Sequence, residues 1–231
     1  MKKKASTVTG ELTWRIIIEF YVELSFPNIY NTATLGGTWP NIWKYEYVTP
    51  VPKVFPPASV DDLRKISGTK NLSKIYESLL SDYIIKDMNP KIDPSQFGNE
   101  KGLSIQHYLV KMVTRILTIL DSNNEQEKYA VITMLVDWSK AIDRQDPTLG
   151  IESFIRNGVR ASIIPVLISY FQNRKMVVKW HGLLCSTRDL PGGGPQGYTC
   201  GLLEYKSNSN NNADYVPQNM RYKFVDDLSI L

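Results

Sequence analysis

The sequence predicts a mixed α/β fold that contains an antiparallel sheet element. Residues 104–120 repeat apolar side chains at helical spacing, which predicts a long amphipathic helix. Residues 128–137 are a short apolar run of strand length, and residues 176–190 are typical of two strands joined at His181–Gly182. The chain has 231 residues, of which 42% are hydrophobic and 22% charged. It is therefore long enough and apolar enough to bury a core.

The N-terminal part reads as helix followed by an extended segment. Apolar residues recur at helical spacing over 11–35, and Pro27 breaks or restarts this helix. Residues 45–48 favour a strand, and the prolines within 50–57 predict an extended loop after it. Residues 60–90 hold two short apolar segments, one around Ile66 and one around Leu72 to Ile85.

The central part holds the clearest helix and a run of apolar residues that ends in a carboxylate. Ser104 precedes the amphipathic helix and suits its N-cap. Residues 128–137 form a continuous apolar run, which predicts a buried strand ending at Asp137. Taken alone, Asp137 is more typical of an N-cap for the following segment than of a catalytic group.

The C-terminal part predicts two helices, a pair of strands and a hairpin. Helical patterns cover 149–157 and 161–172, with Gly158 as the stop between them. Two strands are predicted around His181–Gly182. The last stretch, RYKFVDDLSIL, predicts two apolar strands that meet at Asp226–Asp227.

The aspartate pair lies between apolar residues, where two like charges need an explanation. A straight strand would send Asp226 and Asp227 to opposite faces, whereas a tight turn would project both from one tip. An inert, solvated turn is the alternative for the pair alone. Together with Asp137, the pair would place three carboxylates at the ends of neighbouring strands. Their mutual repulsion favours divalent cations such as Mg²⁺, which prefer carboxylate oxygens.

A glycine-rich stretch, LPGGGPQG, precedes a predicted helix. Its glycines at 192–194 allow close backbone approach to a ligand, and Gln196 offers a hydrogen-bonding amide. The helix that begins after Gly197 would supply free N–H groups. A flexible glycine hinge is the alternative explanation of this stretch.

The net charge and the cysteine content limit the possible partners and the cellular compartment of the protein. The formal net charge of +4 permits a phosphate-bearing partner without requiring one. The two cysteines provide no disulfide framework, and no apolar run reaches transmembrane length or forms a signal peptide. These features predict a protein of the cytoplasm or nucleus that is neither secreted nor embedded in a membrane.

In chain order, these segments resemble the reverse transcriptase domain of non-LTR (LINE-type) retrotransposons, from about Phe26 onward. VTPVPKVFPP with DDLRKIS is similar to the fingers motifs of that family, and DPSQFGNEKG to a segment between fingers and palm. LVDWSKAID, LPGGGPQG and FVDD are similar to its motifs A, B and C. The colinear order of the motifs carries the resemblance more than any single one of them.

The resemblance implies a right-hand polymerase fold. It divides the chain into a tail and helix at 1–25, a fingers-like region at 26–128 and a palm-like catalytic region at 129–231. A thumb is absent from this division. Because the family continues well past motif C, the end at Leu231 predicts a truncated copy.

The resemblance also implies roles for individual residues. Asp137, Asp226 and Asp227 match the catalytic aspartates that bind two Mg²⁺ ions, with Mn²⁺ as an alternative ion. Lys53 and Arg64 match the positions that grip the incoming triphosphate.

Six further positions are expected to contact the nucleotide or the nucleic acid. Ile142, Gln196 and Gly197 match positions that contact the nucleotide or template. Arg174 and its neighbours, Lys175 and Lys179, are expected at the nucleic-acid backbone because they precede motif B. Ile142 replaces the aromatic residue that excludes ribose, and Lys65 replaces a proline. Discrimination against ribonucleotides therefore stays open.

The function implied is that of an RNA-directed DNA polymerase. Its partners would be an RNA template, a DNA primer and deoxynucleoside triphosphates, and the sequence indicates no particular protein partner. Two alternatives stay open. One is a non-catalytic remnant that at most binds nucleic acid, and the other is an RNA-dependent RNA polymerase.

Overall fold

The computed structural model describes residues 12–20, 23, 25–122, 129–138, 140–190, 192–193 and 199–231. Helices and strands are mixed along the chain, which confirms the α/β class. Two compact units are present: unit 1 comprises residues 1–90 and 142–205, and unit 2 comprises residues 91–141 and 206–231. The right-hand arrangement and the predicted domain boundaries stay predictions.

The helices are α1 (Trp14–Glu19), α2 (Phe26–Leu35), α3 (Asn71–Met88), α4 (Ile105–Asp121), α5 (Pro147–Arg156), α6 (Ile164–Phe171) and α7 (Thr199–Asn208). The strands are β1 (Tyr45–Pro52), β2 (Leu63–Gly68), β3 (Met134–Asp137), β4 (Arg174–Trp180), β5 (Leu183–Leu184), β6 (Arg188–Leu190), β7 (Arg221–Phe224) and β8 (Asp227–Ile230). None of the helices within the described ranges is long and apolar enough to cross a bilayer.

Unit 1 is built on a sheet with the order β2-β1-β4-β5, in which β6 also pairs with β4. Strand β1 continues through Pro52, beyond the predicted boundary at Val48. Pairing of β1 with β4 ends at Val48, so Pro50 and Pro52 lie where the missing N–H groups are tolerated. Trp39 and Tyr76 stack in the core beside this sheet, with ring centroids 4.7 Å apart.

Unit 2 is a small sheet with the order β3-β8-β7, covered on one face by α4. Gln96 forms an isolated parallel bridge to Lys223 of β7. The Tyr108 hydroxyl of α4 is hydrogen-bonded to the Ser229 hydroxyl of β8, and Tyr108 packs with Tyr222. The predicted helix and its cap are confirmed, since Ser104 and His107 form a capping box.

The prediction of a buried strand over 128–137 is wrong. Within the described residues 129–137, the strand begins only at Met134, and the side chains of Met134 and Leu135 are 58% and 74% exposed. The physical reason is the position of β3, which is an edge strand paired with β8 on one side. An apolar run alone does not reveal whether anything covers the strand.

Candidate functional site

The hairpin of β7 and β8 presents the aspartate pair. Phe224 pairs with Asp227, so the two turn residues are Val225 and Asp226. The turn therefore lies one residue earlier than predicted, and Asp227 is the first residue of β8. Val225 has a φ of +57°, which is a strained conformation for a β-branched residue.

Gly98 lies directly against this turn. A Cβ atom added to Gly98 would be 2.2 Å from the Val225 backbone nitrogen and 2.6 Å from its Cγ2. The preceding residue, Phe97, donates its N–H to the Lys223 carbonyl over 2.8 Å. The absence of a side chain at Gly98 therefore allows this segment to pack against the turn that carries Asp226.

Asp137 lies directly opposite Asp227 in the antiparallel ladder of β3 and β8. Directly opposed residues place their side chains on the same face of a sheet, a few ångströms apart. Asp226 is the neighbouring turn residue. The structure therefore brings Asp137, Asp226 and Asp227 to one end of the unit 2 sheet.

The three carboxylates influence one another electrostatically. Partial desolvation raises the pKa of Asp227, and the charges of Asp226 and Asp137 raise it further. In the part of the chain that the structure describes, no lysine or arginine forms an ion pair with any of the three. This end of the sheet is therefore locally anionic and would attract a cation.

The donor set fits Mg²⁺ without forming a complete cage. Among the described residues, no three His, Cys, Asp or Glu side chains are grouped to hold an ion by themselves. Mg²⁺ commonly takes one or two carboxylates and completes its coordination with water and phosphate oxygens. Two or three carboxylates at one sheet end are therefore chemically sufficient for that ion.

A buried polar network holds the side chains of Arg221 and Lys223, on strand β7 of the hairpin. Asp93 accepts hydrogen bonds from Lys223 Nζ and Arg221 Nε, both over 2.9 Å. Lys223 Nζ also donates to the Asn210 carbonyl. Burial raises the pKa of Asp93, but hydrogen bonds and charges from these partners outweigh burial and hold it below its ordinary value. No local sequence pattern indicates this network, because its members are distant along the chain.

The predicted triphosphate-binding residues lie on the β1–β2 hairpin of unit 1. Lys53 follows β1 directly and donates its Nζ to the Asp61 carbonyl over 2.9 Å. Arg64 lies opposite Val51 on β2. Both side chains are exposed.

Ile142 opens a 3₁₀ turn that is tied to two other segments of unit 1. The next residue, Asp143, forms an ion pair with Lys65 of β2 over 2.8 Å. Gly193 has a φ of +82°, and a Cβ there would be 2.6 Å from the Asp143 carbonyl oxygen. Gly193 N–H donates to the Gln145 carbonyl over 2.9 Å. The ion pair gives a role to Lys65 that sequence reasoning missed.

The remaining predicted contacts have different outcomes. Gln196 and Gly197 lie outside the described residues. A nucleic-acid contact by Arg174 is not supported, because its side chain is 2% exposed and paired with Glu46. Lys175 lies 3.9 Å from Asp189, and Lys179 is exposed, so their proposed contacts stay predictions.

Comparison with known proteins gives an independent line of observation. No protein-family model matches the chain. Over 180 residues, the chain is 27% identical to the probable RNA-directed DNA polymerase from transposon X-element of Drosophila melanogaster. It has the same identity, over the same length, to the corresponding protein from transposon BS of that species.

Both alignments cover 77% of this chain and 19% of the relative, so the chain spans about a fifth of the length of the curated relatives it matches. Each of these relatives carries the name of a polymerase from a transposon, the class to which the motifs pointed. The similarity of this chain to reverse transcriptases of LINE-type transposable elements, which its motifs predict, is therefore confirmed.

Proposed function

We propose that the chain is the catalytic part of an RNA-directed DNA polymerase, and that Asp137, Asp226 and Asp227 form its reaction centre. The observation that supports this most is the register of β3 and β8, which sets Asp137 opposite Asp227 and beside the Asp226 turn. These three residues are also the aspartates expected from motifs A and C. Similarity to two transposon polymerases supports the same assignment.

The substrates would be an RNA template, a DNA primer and a deoxynucleoside triphosphate. Bound Mg²⁺ ions would stabilise the negative charge on the phosphates and favour ionisation of the primer 3′-hydroxyl. The three carboxylates would hold these ions, and Lys53 and Arg64 would bind the triphosphate through charge-assisted hydrogen bonds. New DNA would form as the 3′-hydroxyl oxygen bonds to the α-phosphorus and pyrophosphate leaves.

Ile142 would lie beside the sugar of the incoming nucleotide. Its side chain is aliphatic and lacks the flat ring that the resemblance places at this position. We therefore expect weaker exclusion of ribonucleotides than an aromatic residue would give. Measuring incorporation of ribo- and deoxynucleotides in one assay also tests the alternative of an RNA polymerase.

The direct experiment is DNA synthesis by the purified chain on a poly(rA)–oligo(dT) template-primer with Mg²⁺ and dTTP. We expect synthesis by the wild type, and a loss of about 100-fold or more in Asp137→Asn and in Asp226→Asn. Asp121→Asn is the matched control, because Asp121 is an exposed aspartate at the end of α4.

Two results would count against the proposal. Synthesis that persists in both variants would remove these aspartates from the reaction. Absence of synthesis from a folded wild-type sample would favour the alternative of a chain that at most binds nucleic acid. Circular dichroism of each sample decides whether it is folded.

A further inference from the structure

An open groove of about 620 Å³ runs along one side of α4 in unit 2. Its helical wall includes Gln106, Lys111 and Arg115, and the opposite wall is formed by Asn219 and Tyr222. Asn219 lies in the 3₁₀ turn before β7 and Tyr222 near the start of that strand, whereas Asp226 lies in the turn at its other end. The groove is therefore separate from the proposed reaction centre.

The helical wall of the groove exposes mostly apolar surface, including Val110, and also carries three basic side chains. His107, Lys111 and Arg115 are spaced four residues apart, so they lie on one side of α4, about 6 Å apart along its axis. Among the described residues that line the groove none is acidic, and the only acid in α4 is its last residue, Asp121. Over the described ranges, neither Lys111 nor Arg115 forms an ion pair with a carboxylate.

The two strong cations differ in their surroundings. Lys111 Nζ lies 5.3 Å from the centre of the Phe97 ring, which is a cation–π contact. Arg115 Nε is buried and has no hydrogen-bond partner among the described residues. Burial raises the pKa of the Tyr222 hydroxyl, and the positive charge of Arg115 opposes this rise. Because Tyr222 belongs to the opposite wall, the charge of Arg115 extends across the groove. The groove thus presents positive charge that carboxylates do not neutralise.

We propose that this groove binds the sugar–phosphate backbone of a nucleic-acid strand. The spacing of the cations is comparable to the separation of neighbouring phosphates along one strand. Gln106, Thr114 and Asn219 add neutral donors of the kind that hydrogen-bond to phosphate oxygens. Two rings are among the described residues of the lining: Tyr222 is 1% exposed and is not available for stacking, whereas His107 is exposed. Contacts to phosphate do not read the base, and stacking on a ring accepts every base, so the contact is independent of sequence.

The test is the affinity of the full chain for a fluorescein-labelled 20-nucleotide RNA, measured by anisotropy across a series of KCl concentrations. We expect Lys111→Gln/Arg115→Gln to weaken binding at least about 10-fold. The slope of log affinity against log salt should fall by about 1.4, which corresponds to two lost phosphate contacts on a single strand.

The matched control is Lys86→Gln/Lys101→Gln, which removes the same charge from two exposed positions outside the groove. This control should change the affinity less than threefold. Thermal unfolding shows whether both double variants fold. Lys111→Arg/Arg115→Lys, which conserves the charge, should retain most of the affinity and the salt slope.

Two outcomes would overturn the proposal. Equal affinity of the groove variant and the control would show that the groove does not contact RNA. If the groove variant loses RNA affinity but keeps the wild-type salt slope, then Lys111 and Arg115 do not contact phosphates. That result would indicate a groove that suits an apolar partner, such as a protein segment. The RNA affinity of the groove variant is compared with that of Lys86→Gln/Lys101→Gln, and DNA synthesis is compared between wild type and Asp226→Asn, so failure of the polymerase proposal and failure of this one are distinguishable.

Discussion

At the scale of single residues, Val225 and Gly98 explain how the Asp226 carboxylate is presented. Val225 adopts a positive φ that a β-branched residue rarely takes, at a cost of about 1–3 kcal/mol. Contacts from neighbouring segments must therefore hold the turn. Gly98 provides such a contact, because its missing side chain lets the backbone pack against Val225. The sequence shows Gly98 only as a loop residue, and the partner of that loop could not be predicted from it.

Substitution of Gly98 by alanine should therefore move the turn. The new Cβ would overlap the Val225 backbone, so we expect a loss of about 1–3 kcal/mol in the free energy of unfolding. DNA synthesis should fall at least 10-fold as Asp226 shifts. Gly68→Ala is the control, because its Cβ would meet only the Tyr47 carbonyl, at an ordinary 3.6 Å. Urea denaturation and primer extension measure the two effects, and wild-type values in both would contradict this role for Gly98.

At the scale of elements, local sequence patterns predicted those features that depend on neighbouring residues in the chain, such as the helix α4. The apolar spacing of α4 and its Ser104 cap predicted a helix that the structure confirms, because both signals lie within a few residues. The burial of β3 could not be predicted in this way, because it depends on which strands pair with it and on what covers them. The hairpin was predicted, but its turn was displaced by one residue, since the positive φ of Val225 runs against its propensity.

The hairpin depends on the buried contacts of β7 with Asp93. We expect Lys223→Met to lower the free energy of unfolding by about 3 kcal/mol, because it leaves the buried Asp93 carboxylate with one cationic partner fewer. Arg221 retains its own hydrogen bond to Asp93. The expected loss of stability is therefore at the lower end of the range that is typical when one partner of a buried ion pair is removed. Lys179→Met, at an exposed position on β4, is the control. Equal urea midpoints for the two variants would show that the network contributes nothing.

At the scale of the whole molecule, distant residues form a polar network inside unit 1. Arg174 pairs with Glu46, 128 positions away in the chain, and no local pattern indicates that contact. This is why the sequence favoured an exposed role for Arg174. Burial raises the pKa of Glu77 to about 7, against the opposing hydrogen bond from the Tyr170 hydroxyl. Burial also raises the pKa of Glu204 to about 8, with a smaller contribution from the charge of Asp146.

These two glutamates predict a protein that is less stable at alkaline pH. A carboxyl whose pKa is raised by folding binds its proton more tightly in the folded state. Its contribution is complete below its ordinary pKa, near 4.5, and is lost as pH rises through about 7 to 8. The loss should be on the order of a few kcal/mol for the two groups together.

Glu204→Gln tests this pH dependence. Glutamine stays neutral, so the variant should lose less stability than the wild type between pH 6 and pH 8.5. Urea denaturation at the two pH values measures the difference, with Glu152→Gln on α5 as the control. Identical losses in wild type and Glu204→Gln would show that Glu204 does not titrate in this range.

The central claim is that Asp137, Asp226 and Asp227 form one metal site, and iron-mediated cleavage tests it most directly. Fe²⁺ replaces Mg²⁺, and hydrogen peroxide then generates hydroxyl radicals that cut the backbone next to the bound ion. We expect cuts near residues 137 and 226 in the wild type, which excess Mg²⁺ should suppress and which Asp226→Asn should lack. Cuts elsewhere in the chain, or an unchanged pattern in Asp226→Asn, would contradict a metal site at these three aspartates.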